Sequence, residues 1–248
     1  MKLAVDRYVS EIIPAPRNDA TDVRIVVFPY AGGSAAVYSG WRTIWPDRWQ
    51  LLGVTLPGRA HRLTEPFDHD PASTVRKIAD ELVLREPATT TIFVGHSMGA
   101  DIAFAVGQLV TPHALVCLAR APLPLARSSA APHEVEAETR AELRARLGTL
   151  EIADAGVVDE LVEMNMPVLA ADLALLAEFP RNPPPLPVPI VALYGENDDV
   201  EPLSWDRRSS QHTVLEMVLG DHFFAMSDAS PVLRVIHNLV DERERMTK

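Results

Sequence analysis

The sequence has only one cysteine and no excess of basic residues, and both shortages narrow the kinds of protein it can encode. Cys117 has no second cysteine with which to form an internal disulfide, which fits a reducing cytoplasm. Lysine and arginine total 23 against 34 acidic residues, for a net charge of −11. That excess of negative charge argues against a nucleic-acid partner. We therefore predict a cytoplasmic protein that does not bind nucleic acid.

Long apolar runs are missing as well. No run approaches the roughly 20 residues needed to span a bilayer, and residues 1–20 carry charges where a signal peptide would have an apolar core. The histidines are scattered, without the HxH or HExxH spacing of common zinc sites. We expect no membrane association, no metal and no cofactor.

Apolar residues make up 47% of the 248 positions, enough for one domain with a substantial core. Short segments rich in β-branched residues predict buried strands of a mostly parallel sheet: 24–28, 51–56, 91–95, 114–119, 189–195 and 213–218. Apolar residues at helical spacing occur between these strands and near the C-terminus: 74–84, 100–109 and 232–240. The alternation predicts an α/β fold with helices flanking the sheet.

The alternation stops between about residues 125 and 187, where the pattern is helical. Pro167 interrupts it and predicts a kink or a split in the helix. A proline-rich stretch at 180–189 predicts an extended connection back to the sheet. We interpret 125–187 as a helical insertion into a single domain whose core comprises about 21–124 and 188–248.

A serine flanked by glycines follows the strand predicted at 91–95. The stretch GHSMG, Gly95 to Gly99, matches the G-x-S-x-G nucleophile elbow, in which a strained serine sits on a tight strand-to-helix turn. A Cβ at either glycine would collide with the neighbouring strand or helix. The helix N-terminus that follows can stabilise a developing anion. Ser97 is therefore the candidate nucleophile; the alternative is a small-residue turn with a solvated serine.

A serine nucleophile needs a base and an orienting acid, in the chain order Ser, Asp/Glu, His for this motif. His222, in the stretch LGDHFF after the last predicted strand, is the candidate base; an ordinary surface histidine is the alternative. The acid lies in YGENDDV, where we favour Asp198 over Asp199. His96 should point away from the serine and serve in packing.

Two backbone N–H groups are candidates for an oxyanion hole. Met98 directly follows the nucleophile. Ala31 lies in the loop FPYAGGSA, where small residues let the backbone approach a substrate oxygen closely. This loop lacks the lysine of a phosphate-binding P-loop. Together these residues favour acyl transfer through a covalent acyl-enzyme.

Several motifs together resemble the type II thioesterases of polyketide and nonribosomal peptide assembly lines, which are stand-alone α/β-hydrolases. The motifs, spread over nearly the whole chain, are FPYAGGSAAVYSGW, LPGRAHRL, GHSMGA, MPVLAADL and GDHFF. The resemblance implies an α/β-hydrolase fold with a lid formed by 125–187 over an acyl channel. It also implies Ser97 as nucleophile, His222 as base and an acid in the loop after Gly195.

The same resemblance implies a substrate, an acyl thioester on the phosphopantetheine arm of an acyl or peptidyl carrier protein. The enzyme would remove aberrant or stalled acyl groups, and we expect a monomer. Tyr30, where the family has His or Phe, and Met166 are predicted to contact the substrate; for Met166 the alternative is packing in the core. Ala60 and Ala170 depart from the Glu and Arg common in the family. Carrier proteins are usually acidic, so a basic patch should dock them, with these candidates: Arg59, Arg62, Arg120 and Arg127.

The residues alone leave two other functions open. An esterase or lipase acting on small free esters would use the same catalytic groups. A hydrolase scaffold used only for binding would not need to retain nucleophile, base and acid together, so the intact set argues against it.

Overall fold

A computed structural model of the chain describes residues 8–15, 23–122, 140 and 155–246. Its centre is a seven-stranded sheet with the strand order β1-β3-β2-β4-β5-β6-β7. The strands are β1 (Val9–Ile13), β2 (Val23–Phe28), β3 (Trp49–Val54), β4 (Thr90–His96), β5 (Ala114–Leu118), β6 (Ile190–Gly195) and β7 (Thr213–Val218). Only β1 runs antiparallel to its neighbour β3. The other pairs are parallel, which confirms the predicted sheet.

The strand that the apolar pattern did not reveal is β1, at one edge of the sheet. Its sequence VSEII has two consecutive polar residues, Ser10 and Glu11, between buried Val9 and Ile12, so it contains no long apolar run. The carboxylate of Glu81 accepts the backbone N–H groups of Tyr8 and Val9 at 3.0 and 2.9 Å. An acceptor from a distant helix thus holds the start of the strand.

The helices are α1 (Pro71–Val83), α2 (Met98–Gly107), α3 (Ala155–Ala177), α4 (Phe224–Ser227) and α5 (Ser230–Met246). Short 3₁₀ segments occur at Ala35–Thr43, Ala60–Arg62 and Asp206–Arg208. α1 starts where the Asp70 carboxylate accepts the N–H of Ala72 at 3.0 Å, with Pro71 in the first turn. Among the described helices, none combines the length and apolar character needed to cross a membrane.

The sheet has a hydrophobic core on each face. One core joins the sheet to α1, α2 and the end of α3. The other joins it to α5 and to the 3₁₀ segment with its neighbouring tryptophans. β2, β3, β5 and β6 are buried along their whole length, and β4 is buried except at Thr91, because both faces of the sheet are covered.

α3 runs through Pro167 as one helix, so of the two predicted outcomes the split is wrong, and the kink stays a prediction. Pro167 itself is exposed, whereas its neighbours Met166 and Val168 are buried. Burial of these flanking side chains supports the helix across the position that lacks an N–H. The part of the predicted insertion before residue 155 lies outside the described residues, apart from Arg140.

Candidate active site

Ser97 lies between β4 and α2, at the carboxyl end of a central strand. Its φ of 52° and ψ of −123° belong to a sparsely populated region that costs a non-glycine residue about 1–3 kcal/mol. The Ser97 N–H donates to the Leu118 carbonyl at 2.8 Å, and the Ser97 carbonyl accepts the Ala100 N–H at 2.9 Å. The surrounding backbone therefore holds Ser97 in the strained conformation that the elbow motif requires.

The two glycines of the motif are fixed by close backbone contacts. A Cβ on Gly95 would lie 2.3 Å from the Cα of Ala100, and one on Gly99 would lie 2.0 Å from the carbonyl oxygen of Phe28. Both distances are far below any van der Waals contact. The start of α2 can approach β4 and the end of β2 only because neither position carries a side chain.

His222 and Asp198 meet across the loops that follow β7 and β6. The Nδ1 atom of His222 lies 3.0 Å from one carboxylate oxygen of Asp198 and 3.1 Å from the other. Asp198 has a side chain only 2% exposed, and one of its oxygens also accepts the N–H of Val200 at 3.0 Å. With Nδ1–H donated to the carboxylate, Nε2 keeps the lone pair that a general base needs.

The two loops are joined by their backbones. The N–H groups of Glu196 and Asn197 donate to the carbonyls of Val218 and Gly220 at 2.8 and 2.9 Å. A Cβ on Gly195 would lie 2.5 Å from the carbonyl oxygen of Gly220, so glycine is needed where these loops touch. Asp199, next to Asp198, is exposed.

His96 connects the serine turn to the histidine loop. Its ring is fully buried, as expected for a histidine that serves in packing, and its Nε2 lies 2.7 Å from the carbonyl oxygen of His222. Because a carbonyl can only accept, Nε2 of His96 carries the hydrogen. The rings of His96 and His222 lie 5.4 Å apart, centroid to centroid. The residue before Ser97 thus fixes the backbone of His222, a role that its place in the motif does not suggest.

The loop after β2 forms a tight turn. The Gly33 N–H donates to the Tyr30 carbonyl at 2.9 Å, and Gly32 has a φ of 81°, as the third residue of a type II turn requires. This turn uses the N–H of Gly33 and does not use that of Ala31. Met98 is the first residue of α2, so its N–H has no acceptor within the helix. The N–H groups of Ala31 and Met98, both proposed for the oxyanion hole, are therefore not used by the turn or the helix in which they lie.

Asp172 of α3 joins this turn to the segment after β3. Its Oδ2 accepts the Gly32 N–H at 2.7 Å. Its two oxygens also accept hydrogen bonds from the two terminal nitrogens of Arg59, at 2.5 and 2.6 Å. Asp172 and Arg59 are 2% and 6% exposed. Sequence reasoning missed Asp172, although it lies between buried Val168 and Leu175 on one helix face, where a carboxylate requires a partner.

The predicted docking patch of arginines is wrong for the three candidates that the structure describes. Arg59 is buried against Asp172, and Arg62 is buried against Glu65, with an N–O distance of 2.7 Å. Arg120 is 12% exposed and lies 2.6 Å from Asp101. These arginines have carboxylate partners within the chain and little surface to offer. Arg127 lies outside the described residues.

The two predicted substrate-contact residues lie on different elements. Tyr30 is buried, and its ring packs edge-on against His96 and Phe223, with both centroid distances at 5.1 Å. Met166 lies on the buried side of α3, whereas Met164 is 72% exposed. The contacts of Tyr30 and Met166 with an acyl chain stay a prediction.

Comparison with known proteins adds sequence and fold similarity to this geometry. Residues 23–240 match the thioesterase domain. The chain is 30% identical to the gramicidin S biosynthesis protein GrsT of Aneurinibacillus migulanus, over 84% of each chain. It is also 30% identical to the thioesterase PikA5 of Streptomyces venezuelae, over 88% of this chain and 79% of that one. The type II thioesterase BorB from the borrelidin biosynthetic cluster superposes with a TM-score of 0.78 at 26% identity, over 96% of this chain and 100% of its own.

Proposed function

Because the chain belongs to the thioesterase family, we propose that it is a type II thioesterase of polyketide or nonribosomal peptide biosynthesis. Its substrates would be acyl groups on the phosphopantetheine arm of carrier proteins, and hydrolysis would clear stalled or aberrant chains. Three names support the assignment: GrsT is a gramicidin S biosynthesis protein, PikA5 is a thioesterase, and BorB is a type II thioesterase from a biosynthetic cluster. The observation that carries it is the strained Ser97 turn, joined through His96 to the loop of His222.

We infer that Ser97, His222 and Asp198 act as a catalytic triad. Ser97 Oγ attacks the thioester carbonyl while His222 Nε2 removes its proton, and Asp198 stabilises the imidazolium that forms. When the C–S bond breaks, His222 returns the proton to the departing sulfur, which leaves as a thiol. Water then attacks the acyl-enzyme with His222 again as base, and the acid is released from Ser97.

The negative charge that develops on the carbonyl oxygen needs donors that are already in place. We assign this role to the N–H groups of Met98 and Ala31. The start of α2 lies against the end of β2, as the contact between Gly99 and the Phe28 carbonyl shows, so the two donors come from adjacent segments. A single donor of this kind is worth about 10²–10³ in kcat.

We also propose that α3 is part of a lid over the acyl chain, with Met166 and Tyr30 close to the substrate. The flexible thioether of Met166 would suit a channel that accepts varied chains. A single domain, a monomeric state and a cytoplasmic location stay predictions.

The experiment that tests this function compares three donors of one acyl group: the acylated carrier protein, its N-acetylcysteamine thioester and a matched free oxygen ester. We expect kcat/KM to be highest for the carrier-bound thioester and lowest for the oxygen ester. Ser97→Ala serves as the control for background hydrolysis. A preference for the oxygen ester would identify the protein as an esterase instead.

A further inference from the structure

The carboxylate of Asp172 accepts three hydrogen bonds from two segments that are far apart in the sequence. The Gly32 N–H lies at 2.7 Å, and the two terminal nitrogens of Arg59 lie at 2.5 and 2.6 Å. Arg59 in turn donates to the Gly33 carbonyl at 3.3 Å. The Ala31–Gly32 peptide and, through Arg59, the carbonyl of Gly33 are thereby tied to a single side chain on α3.

These contacts determine where the Ala31 N–H can point. The Tyr30 carbonyl accepts from Gly33, which orients the peptide that contains the Ala31 N–H. The next peptide is oriented by the bond from the Gly32 N–H to Asp172. The same bond occupies the Gly32 N–H, so this group does not serve as an oxyanion donor. The direction of the Ala31 N–H is thus set by one turn and one carboxylate.

A buried ion pair is weak evidence for a stabilising role, because desolvation of the two charges offsets much of their attraction. Apolar residues of similar volume often serve stability as well or better. The Arg59–Asp172 pair also has a geometric effect. It holds a carboxylate acceptor against the loop after β2, whose backbone donor must lie within a fraction of an ångström of the position that catalysis requires. Leu169, one turn before Asp172, also faces this loop, with Cδ1 3.8 Å from where a Cβ of Gly32 would lie.

We propose that Asp172 is a positioning residue for the oxyanion hole, which it holds in register through Gly32 and Arg59. The inference rests on the proposed function only in assigning the Ala31 N–H to the developing oxyanion. Because Asp172 belongs to α3, its hydrogen bonds join this helix to the loop after β2. Displacement of α3 from the loop therefore impairs hydrolysis as well as substrate binding.

The test uses Asp172→Ala and Asp172→Asn, with Asp101→Asn as a matched control. Asp101 also forms a buried ion pair with an arginine, Arg120, and among the described residues no hydrogen bond joins either side chain to the loop after β2. Two rates are measured: turnover of an acyl N-acetylcysteamine thioester, and phosphonylation of Ser97 by a fluorophosphonate. The second reaction requires only a nucleophilic serine and an oxyanion hole, so it does not depend on the natural acyl donor.

We expect Asp172→Ala to lower kcat and the phosphonylation rate by about 10²–10³, the effect of losing one oxyanion donor, with little change in KM. Asp172→Asn keeps an oxygen that can accept the Gly32 N–H, so its loss should be smaller. Asp101→Asn should leave both rates near wild type.

Three results would overturn the proposal: wild-type rates in folded Asp172→Ala, an effect on KM alone, or equal rate losses in Asp172→Ala and Asp101→Asn. Failure of the proposed function looks different. In that case the carrier-bound thioester is a poor substrate, whereas Ser97 still reacts with the fluorophosphonate and the Asp172 series can still be compared.

Discussion

At the scale of single residues, the loop after β6 separates two neighbouring carboxylates. Asp198 is buried and lies 3.0 Å from Nδ1 of His222. Asp199 is exposed. Successive residues leaving a strand point in different directions, so a shift of one position in the chain decides which carboxylate reaches the imidazole.

Asp198→Asn should therefore lower kcat by a factor on the order of 10⁴, because the amide no longer fixes the tautomer or stabilises the imidazolium. Asp199→Asn is the matched control, and its effect should not exceed a local hydrogen bond of about 1 kcal/mol. Both variants are measured on the same acyl thioester. If Asp199→Asn proves to be the inactive one, the acid of the triad has been assigned to the wrong residue.

The sequence was informative about residues whose roles depend on covalent neighbours. Ser97 stands in a pentapeptide motif, and Asp198 and His222 follow strands that the apolar pattern reveals. Asp172 and Arg59 are 113 positions apart in the chain, and no local pattern links them. Arg59 is a candidate for docking an acidic carrier when only its charge is considered, and only the fold brings Asp172 against it.

At the scale of elements, the junction of β4 and α2 depends on glycine. Gly99→Ala should destabilise the protein by about 2 kcal/mol or more, because the new Cβ meets backbone atoms of Phe28 and Pro29 that cannot move independently. Gly40→Ala is the control, since a Cβ at Gly40 has no atom within 4 Å. Urea unfolding of the two variants measures the difference. Equal midpoints would contradict the close approach of α2 to β2.

Asp101, in the first turn of α2, makes the stability of the protein depend on pH. Burial raises the pKa of its carboxyl from 3.8 to about 6, although Arg120 opposes the shift. A raised pKa means that the folded state binds the proton more tightly than the unfolded state does. The contribution of Asp101 to stability is therefore present below about pH 4 and is lost as the pH rises to about 6.

The free energy of unfolding of the wild type, relative to Asp101→Asn, should thus fall by about 2 kcal/mol between pH 4 and pH 6, and by about 3 kcal/mol in total once the pH exceeds about 7. Urea titrations of both proteins at several pH values provide the comparison. A difference that is constant, or that rises with pH, would show that the Arg120 charge dominates and that Asp101 remains ionised throughout.

The elements that the sequence did not predict correctly share a physical reason. β1 is a half-exposed edge strand, and its consecutive polar residues Ser10 and Glu11 leave no apolar run to detect. At Pro167 the local preference for breaking a helix is overridden by the burial of neighbouring side chains on α3. Tertiary packing decides both cases, and local sequence patterns do not contain it.

At the scale of the whole molecule, the site collects residues from five separate segments at the carboxyl edge of the parallel sheet. β2, β4, β6 and β7 each end in a loop that contributes a group, and α3 adds Asp172. Ligands bind at this edge in open α/β sheets because the strand ends and helix N-termini meet there. The parallel alternation read from the sequence already implies this gathering, which is why the site could be predicted before its geometry was known.

The net charge of −11 is also a property of the whole molecule, and it bears on how an acidic carrier protein could dock. Three of the four arginines expected to form a docking patch, Arg59, Arg62 and Arg120, are paired with carboxylates of the same chain and offer little positive surface to an acidic carrier. Docking of a carrier protein would then depend on other groups, and the Arg59–Asp172 pair contacts the loop of the proposed site instead.

The central claim, that Ser97 carries the acyl group, is tested most directly by trapping the intermediate. The wild type is mixed with an acyl thioester, quenched in acid within the first turnovers, and analysed by intact mass and peptide mapping. We expect one acyl group per chain, located on the peptide that contains Ser97, and none on Ser97→Ala, whose fold should be intact. An acyl group on another residue, or turnover by Ser97→Ala above about a hundredth of the wild-type rate, would contradict the account.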